Sequence, residues 1–562
     1  MKNNCLSSET SVKEGRPTIG LEIHTELATK TKIFCDCLND FNEKHSNINI
    51  CPICLGHPGV LPTINKKAVK SVLKVGLALN GKIAEFSRFV RKHYFYPDLP
   101  KGYQISQYQY PLVIGGYLEI PVIANKAESE NFQFPISNFQ TNPKSQNPNY
   151  KRIRIRRIHL EEDTGSLMHK AGADYSLIDY NRAGVPLMEL VTEPDIASAY
   201  EAKKFAEELH LILRYLNVSE TQMEKGQMRV EANISLQHNI PNKFPSSEAE
   251  LLDCSAEAAV SAAKAGRRTD KIQTSKLGTK VEIKNLNSFR ALEKAIEYEI
   301  LRQSEILEKG EKVKQETRGW NENKEITFSQ RSKEEAEDYR YFPEPDLPKM
   351  EVGSWKLEVG SELPELPRQK RERFEKEYGI KKETIEILVS DKNLADYFEK
   401  VVSEFTAWFE TEKNAGAKIA PLENLTNLAV NYLTSDLLSL IKEKELSVAE
   451  LLITPENFGE LIKMLGENKI SSRAAKDILL EMFRTGEDPS VLAEKMNLIQ
   501  VSDEGALEEA AKKIVELNPE AALDFKKGKS NALQFLIGQM MKETKGKANP
   551  QVAAALLTKI LE

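Results

Sequence analysis

This 562-residue sequence has no long hydrophobic run. No segment approaches the roughly 18 to 20 consecutive apolar residues that a bilayer-spanning helix needs, and the first fifteen residues lack the apolar core of a signal peptide. Neither sign of charge dominates, because 78 Lys and Arg face 84 Asp and Glu for a formal net charge of −6. A weakly acidic chain does not attract nucleic acid through its overall field. These absences predict a cytoplasmic protein without membrane contact, in which nucleic acid can bind only at local basic patches.

The sequence also lacks several motifs of nucleotide and acyl chemistry. It contains no G-x4-G-K-[ST] loop, no G-x-G-x-x-G that opens a helix and no G-x-S-x-G nucleophile elbow. A nucleotide would therefore be held by a metal ion and by side chains. The composition, 40% hydrophobic and 29% charged, excludes a wholly disordered, collagen-like or coiled-coil protein. At about 150 residues per domain, the length predicts roughly three or four domains.

The first two thirds of the chain mix strand and helix patterns. Polar and apolar side chains alternate at 20–27, 151–157, 230–236 and 279–285, which is typical of strands in a sheet with two unlike faces. A helical pattern runs through 199–217. Another, at 288–310, opens on a Ser cap and closes on a Gly. Because these patterns form no regular βαβ repeat, they predict an α+β fold.

Changes in composition divide the chain. After the Pro-rich stretch at 361–367 the pattern becomes almost wholly helical, and Thr454-Pro455-Glu456 is typical of a further helix start. Two polar stretches interrupt the earlier part, and neither is assigned a role. The predicted order is a flexible N-terminus at 1–15, a sheet domain at 16–362 with possible insertions at 124–150 and 237–277, a helical domain at 363–455 and a helical tail at 456–562.

Four of the six cysteines lie within twenty residues, at Cys35, Cys37, Cys51 and Cys54. In a cytosolic chain such clustering indicates metal binding before disulfides. Two close thiolate pairs can complete a tetrahedral zinc site, and a site filled by four protein ligands is structural. The alternative is four free cysteines grouped by chance.

Acidic side chains share faces with other polar residues in several predicted strands. Glu22, His24 and Glu26 project from one face of the first strand. Three consecutive acids follow His159 and Leu160, and further candidates are Glu231, Glu282 and Lys284. If these strands meet at one concavity, their oxygen atoms can hold Mg²⁺. Taken singly, each alternation is equally typical of a solvated sheet face, and spacing alone does not show which strands are neighbours.

Basic and aromatic residues form three further patterns. An Arg row, Arg152, Arg154 and Arg156, can neutralise phosphates or can guard a solvated edge strand. The runs 91–98 and 338–346 combine Tyr and Phe with basic residues, as in surfaces that stack on bases, although core aromatics beside surface charges give the same pattern. The C-terminal 42 residues carry seven Lys against three acids, which suits RNA-backbone binding or a solvated Lys-rich surface.

Read together, these segments resemble the GatB/GatE family, whose members are the activating subunit of the aspartyl/glutamyl-tRNA(Asn/Gln) amidotransferases. The matching blocks span about 17 to 562 and are long, ordered and specific. They are GLEIHTEL, the two cysteine pairs with LGHPGVLPTIN, RKHYFYPDLPKGYQISQY, HLEEDTGSL, DYNRAGVPLMELVTEPDI, TKVEIKNLNSF, DYRYFPEPDLP and GQMMKETKGKANP.

The resemblance implies a fold and a reaction. The fold is a catalytic cradle with a mixed or antiparallel sheet flanked by helices, then an all-α domain and a small YqeY-like tail. In the reaction, ATP phosphorylates the side-chain carboxylate of Glu-tRNA(Gln) or Asp-tRNA(Asn), and ammonia displaces the phosphate. A separate glutaminase subunit supplies ammonia from glutamine, and a third subunit holds the other two together. A carboxylate is a poor electrophile, and phosphoryl transfer needs positioning and Mg²⁺ more than a nucleophile. The alternative function is a non-catalytic tRNA-binding or assembly module.

The resemblance also implies residue roles. The catalytic and Mg²⁺-binding residues would be Glu22, His24, Glu162, Glu189 and Glu282, with Glu231 as a less secure Mg²⁺ ligand because Asp is usual at that position. Zn²⁺ would be bound by Cys35, Cys37, Cys51 and Cys54. ATP would be contacted by Arg152, Arg154, Arg156 and Lys284. The mischarged tRNA would be contacted by Lys526, Lys527, Lys529, Lys542, Lys545 and Lys547.

Overall fold

The computed structural model describes most of the chain. The described residues are 16–122, 149–170, 172–237, 278–332, 340–414, 421–500, 504–526, 529–544 and 550–561. The predicted N-terminus at 1–15, nearly all of both predicted insertions and three of the predicted tRNA-contacting lysines, Lys527, Lys545 and Lys547, lie outside them. The chain divides into two compact units, Met1–Pro364 and Glu365–Glu562. The finer division at 455 stays a prediction.

The strands of the first unit include all those predicted by the alternating runs. In chain order they are β1 Arg16–Glu26, β2 Lys82–Ile83, β3 Phe86–Ser87, β4 Val90–His93, β5 Tyr103–Ser106, β6 Val113–Ile114, β7 Tyr117–Pro121, β8 Tyr150–Glu162, β9 Ser166–His169, β10 Ser176–Asp179, β11 Pro186–Thr192, β12 Met228–Gln237, β13 Val281–Leu286, β14 Glu316–Asn321, β15 Ile326–Ser332, β16 Tyr341–Pro343 and β17 Met350–Glu351.

Thirteen of the described strands form one sheet. Its main path runs β15-β14-β13-β12-β1-β11-β8-β5-β4-β16, with β2, β6 and β7 attached beside it. Neighbours in the sheet pair antiparallel except β13 and β14, which pair parallel. The sheet is therefore mixed, as the resemblance implies. Two separate pairs, β9 with β10 and β3 with β17, complete the strand pairing.

Helices cover the apolar face of this sheet. They are α1 Lys66–Ala78, α2 Ala199–Tyr215, α3 Phe289–Glu308 and the short α4 Lys356–Ser361. The side chain of Ser288 caps α3 by accepting a hydrogen bond from the Ala291 amide, and Gly310 just after its end has a φ of 77°. The helix α3 packs on β12, β13 and β15 as well as on α2. Strand residues such as Leu21, Ile23 and Ile234 are almost fully buried, so the opposite face of the same strands is left to polar side chains.

The second unit is helical throughout its described residues. Its helices are α5 Pro367–Tyr378, α6 Lys382–Val389, α7 Lys392–Asn414, α8 Leu422–Asn431, α9 Leu438–Glu443, α10 Pro455–Gly466, α11 Ser472–Thr485, α12 Pro489–Lys495, α13 Glu504–Leu517, α14 Pro519–Lys526, α15 Ser530–Glu543 and α16 Pro550–Leu561. A π-helical turn, Tyr432–Leu437, links α8 to α9. The predicted start of α10 is confirmed, because Thr454 caps it through the Asn457 amide. Leu507, Leu536, Met540 and Leu557 belong to one buried cluster near the C-terminus.

None of the helices in the described part of the chain combines the length and apolar character needed to cross a bilayer. A mixed sheet flanked by helices and followed by a helical region confirms the predicted α+β class.

Candidate active site

Sheet register places polar side chains from three strands in one row. His24 on β1 lies opposite Glu189 on β11, and Glu189 in turn lies opposite His159 on β8. On the other side of β1, Glu22 lies opposite Glu231 of β12. Residues directly opposite in an antiparallel pair point to the same face. The polar face predicted for the first strand is therefore shared by its neighbours.

His24 is at the centre of this group. Its Nε2 atom lies 3.5 Å from Oε2 of Glu189, 3.7 Å from Oε1 of Glu161 and 3.9 Å from Oε1 of Glu22. Ligand atoms of Glu22, His24 and Glu189 all lie within 4.8 Å of one another, as do those of His159, Glu161 and Glu189. Carboxylates and imidazoles grouped in this way suit a divalent cation in an enzyme of phosphoryl transfer.

The electrostatics of the group follow from burial and mutual charge. Burial alone would lower the pKa of His24, but its hydrogen bond with Glu189 and the charges of Glu189, Glu161 and Glu22 raise that pKa to about 9. Burial would raise the pKa of Glu189, but His159 and His24 hold it well below its usual range. Burial and the charge of Glu189 raise the pKa of Glu22. With no cation bound, a charged imidazole therefore balances the carboxylates.

Glu162, a predicted magnesium ligand, is not part of this group. It lies on the other face of β8, where its Oε2 atom accepts a hydrogen bond from Lys101 Nζ at 2.6 Å and its Oε1 atom accepts one from the Ile105 amide at 2.8 Å. Glu161 takes the place predicted for Glu162, because His159 and Glu161 have the parity that faces Glu189. Three consecutive acids made the choice ambiguous, and the period-two rule applied to β8 together with its register would have resolved it.

Glu231, Glu282 and Lys284 form an adjoining polar group on β12 and β13. The ammonium of Lys284 lies 3.1 Å from Glu231 and 3.9 Å from Glu282. Thr317 donates a hydrogen bond to Glu282 at 2.7 Å. Their register with Glu22 places this group beside the metal-suited one, but neither acid belongs to the two triads within 4.8 Å.

The predicted Arg row has carboxylate partners of its own. Nitrogen–oxygen distances of 2.7 to 2.8 Å pair the three arginines with acids, namely Arg152 with Glu119, Arg154 with Asp195 and Arg156 with Glu193. A phosphate would have to compete with these ion pairs, so their role in ATP binding stays a prediction. The neighbouring Arg157 joins the site instead, 3.2 Å from Glu189 and 4.2 Å above the ring of Tyr108.

A second group that the sequence did not identify lies at the end of the same row. Arg229 donates a hydrogen bond to Asp163 at 2.8 Å, and Arg182 lies 3.5 Å from the same carboxylate. Burial, with Asp163 close by, raises the pKa of Glu26 to about 9. Glu26 therefore stays protonated at neutral pH beside an ionised Asp163.

The four clustered cysteines come together as predicted. Ligand sulfurs of Cys35, Cys37, Cys51 and Cys54 lie within 4.8 Å of one another. The Cys51 amide donates a hydrogen bond to Cys54 Sγ at 3.1 Å, and the fully buried Lys32 lies 3.8 Å from the same sulfur. A hydrogen bond from Cys35 and the charge of Lys32 lower the pKa of Cys54 to about 4 despite burial. The set fits a tetrathiolate metal site.

A cavity separates the cysteines from the Glu162 side of β8. It has a volume of about 220 Å³. Its wall includes Cys35, Cys54, Arg91, Lys101, Glu162 and Glu344. Arg91 pairs with Glu344 at 2.7 Å, so charged pairs line this space.

The C-terminal lysines are partly described. Lys526, Lys529 and Lys542 are exposed or half-buried, and Lys529 lies 3.0 Å from Asp524. These positions allow contact with an RNA backbone, which stays a prediction.

Comparisons with known proteins agree with this site. The family profile described as the GatB/GatE catalytic domain matches residues 17–358, and that of the GatB domain matches 417–561. Curated relatives are named as the B-type subunit of aspartyl/glutamyl-tRNA(Asn/Gln) amidotransferase. The relative from Caldanaerobacter subterraneus subsp. tengcongensis is 43% identical over 540 residues, 96% of this chain and 98% of its own length. The relative from Thermotoga maritima is 43% identical over 552 residues, 97% and 99% respectively.

These matches cover nearly the whole chain, so it belongs to the GatB/GatE family. The family, the fold class and the amidotransferase class predicted from the sequence are confirmed. A non-catalytic tRNA-binding or assembly module is not favoured.

Proposed function

We propose that this chain activates and amidates mischarged tRNA as the activating subunit of a tRNA-dependent amidotransferase. A side-chain carboxylate oxygen of Glu-tRNA(Gln) or Asp-tRNA(Asn) attacks the γ-phosphorus of ATP, and ADP leaves. Ammonia then attacks the acyl carbon, inorganic phosphate leaves and one proton is released. The observation that carries this proposal is the convergence of Glu22, His24 and Glu189 within 4.8 Å.

The polar face fits a divalent cation. It offers carboxylate oxygens and imidazole nitrogens, and the buried ring of His159 has no hydrogen-bond partner among the described residues. Glu22, His24 and Glu189 would hold the ion, and Glu231 and Glu282 lie close enough to bind its water ligands. A bound Mg²⁺ supplies positive charge that offsets the charge developing on the transferred phosphoryl group.

The chain's own residues position the reactants. Arg157 is fixed by Glu189 and by the face of Tyr108, so its charge stays beside the centre. Lys284 lies within reach of Glu231 and Glu282 and is proposed to contact a phosphate of ATP. Removing water from such a site strengthens each of these interactions.

The cysteine group is proposed to bind a structural Zn²⁺. All four ligands come from two turns of one segment, and a closed four-ligand site leaves no position for substrate. Zinc would therefore stabilise the loop between β1 and α1 rather than take part in the reaction.

The relatives' name describes one subunit of a larger enzyme. We propose that a separate glutaminase subunit supplies ammonia from glutamine, that a third subunit holds the two together, and that the assembly works in the cytoplasm. Lys526, Lys529 and Lys542 would contact the tRNA backbone, with the other three predicted lysines adding to this surface.

The experiment that tests the proposal uses the assembled complex with Glu22→Ala or His24→Ala. Ammonium chloride replaces glutamine as nitrogen donor, so that the glutaminase does not limit the rate. Amidation of mischarged tRNA should fall at least about a hundredfold, because the ion that offsets phosphoryl charge is no longer held. The control is Glu207→Gln on α2, where the carboxylate pairs with Lys204 far along the chain from the site. Wild-type amidation by Glu22→Ala and His24→Ala would refute the assignment.

A further inference from the structure

His159 is a buried imidazole without an ordinary partner. Its side chain on β8 has no exposed surface, and neither ring nitrogen has a hydrogen-bond partner within the described part of the chain. Two carboxylate oxygens face Nε2, at 3.5 Å from Glu189 and 3.7 Å from Glu161. Buried polar groups without a hydrogen bond are rare and costly, so this ring calls for an explanation.

His24 faces the same two carboxylates from the opposite side. Its Nε2 atom is 3.5 Å from Glu189 and 3.7 Å from Glu161. Both imidazoles approach the same oxygen, Oε2, of Glu189, whereas each faces a different oxygen of Glu161. Two nitrogens and two carboxylates therefore alternate around one point of the sheet.

The spacing of this ring suits a single ion. Two ligands that bind at right angles, each about 2.1 Å from an ion, lie about 3 Å apart. The observed nitrogen–oxygen separations of 3.5 and 3.7 Å need only a small inward movement to reach that value. The ring of Tyr108 stands edge-on to His159, with centroids 6.3 Å apart, and limits outward movement of the imidazole.

We propose that His159 is a second imidazole ligand of the cation that His24 and Glu189 hold, so that the centre prefers a first-row transition ion to Mg²⁺. This inference rests on the cation site of the proposed function. Mg²⁺ prefers an all-oxygen environment, whereas imidazole favours transition ions. Mn²⁺ is the weakest binder of the first-row series, so preference for Mn²⁺ over Mg²⁺ is a stringent test.

A rival reading makes His159 a cation that only orients Glu161 and Glu189. The two readings differ in the number of imidazole nitrogens bound to the ion. That number can be measured by pulsed electron paramagnetic resonance of Mn²⁺ in the assembled complex without ATP. Growth on ¹⁵N-histidine identifies the imidazole signals in the wild-type protein, so the test does not depend on a variant that folds.

The expected result is two imidazole nitrogens on Mn²⁺ in the wild-type complex and one in His159→Gln. Mn²⁺ affinity should exceed Mg²⁺ affinity at least about tenfold, and His159→Gln should lose about ten- to a hundredfold of Mn²⁺ affinity. The matched control is His169→Gln, on the exposed hairpin β9–β10 where His169 contacts Ser176. A single imidazole nitrogen in the wild type, unchanged in His159→Gln, would overturn the inference.

The same series separates this inference from the proposed function. Loss of Mn²⁺ binding in His24→Gln but not in His159→Gln would keep the cation site and exclude His159 as a ligand. Unchanged Mn²⁺ binding in both variants would refute the cation site itself.

Discussion

The two metal-suited groups of this protein are built in opposite ways. The cysteine group uses four residues of one short segment, 35–54, and its ligands are held by two local turns. The sheet group takes Glu22 and His24 from β1, Glu189 from β11 and His159 with Glu161 from β8. The first is thus a property of local spacing, and the second exists only once the sheet has formed.

This difference has consequences for charge. Lys32 is the buried cation beside the cysteines, and zinc would supply the remaining positive charge. The sheet group carries its own counter-charges in His24 and Arg157, so it can stay folded before an ion binds. We therefore expect zinc to affect stability more than chemistry, and the sheet-bound ion to affect chemistry more than stability.

The largest expected effect is on catalysis at the sheet group. Glu189→Gln keeps the shape of the side chain but removes the charge that His24, His159 and Arg157 face. Amidation should fall at least about a hundredfold, while the melting temperature changes little. A loss of activity that only follows unfolding would show that Glu189 is structural.

The cysteine group should respond in the opposite way. Cys54→Ser should remove bound zinc and lower the melting temperature of the first unit, because the metal links turns that would otherwise be free. Zinc content and calorimetry measure the two effects, with Cys5→Ser, outside the cluster, as control. Amidation at low temperature should fall far less than in Glu189→Gln. An equal loss would remove the contrast between the groups.

The two neighbouring acids of β8 sharpen the comparison. Glu161→Gln should weaken cation binding about ten- to a hundredfold, because Glu161 faces both imidazoles. Glu162→Gln should leave cation affinity nearly unchanged, because Glu162 is bound to Lys101 on the other face. Calorimetric titration of the complex distinguishes the two. The reverse order would show that β8 presents its other face to the ion.

How far sequence predicts each group follows from its construction. Cys35, Cys37, Cys51 and Cys54 were identified from spacing alone, since local turns bring them together. Period-two alternation and the family blocks identified Glu22 and His24 on β1. The choice between Glu161 and Glu162 required the register of β8 against β11, which depends on long-range pairing and on a bulge at Val191/Thr192. Similarly, the acidic partners of the Arg row lie on other segments and could not be inferred from its spacing.

The smallest expected effect concerns the pH dependence of stability. The pKa of Glu26 is about 9 in the folded chain, above its ordinary value of 4.5. For such an acid the folded state is favoured most below pH 4.5, and that contribution is lost as pH rises towards 9. Glu26→Gln imitates the protonated form, so its stability relative to wild type should increase between those pH values. Urea unfolding across the range measures this, and a constant difference would contradict the assigned pKa.

The most direct test of the central claim is tRNA-dependent ADP formation without any nitrogen donor. The claim is that carboxylates and imidazole from separate strands hold the ion used to phosphorylate the tRNA-linked carboxylate. The wild-type complex should form ADP when Glu-tRNA(Gln) or Asp-tRNA(Asn) is added, and Glu189→Gln should form almost none while binding tRNA equally well. ADP formation by Glu189→Gln at the wild-type rate would contradict the account.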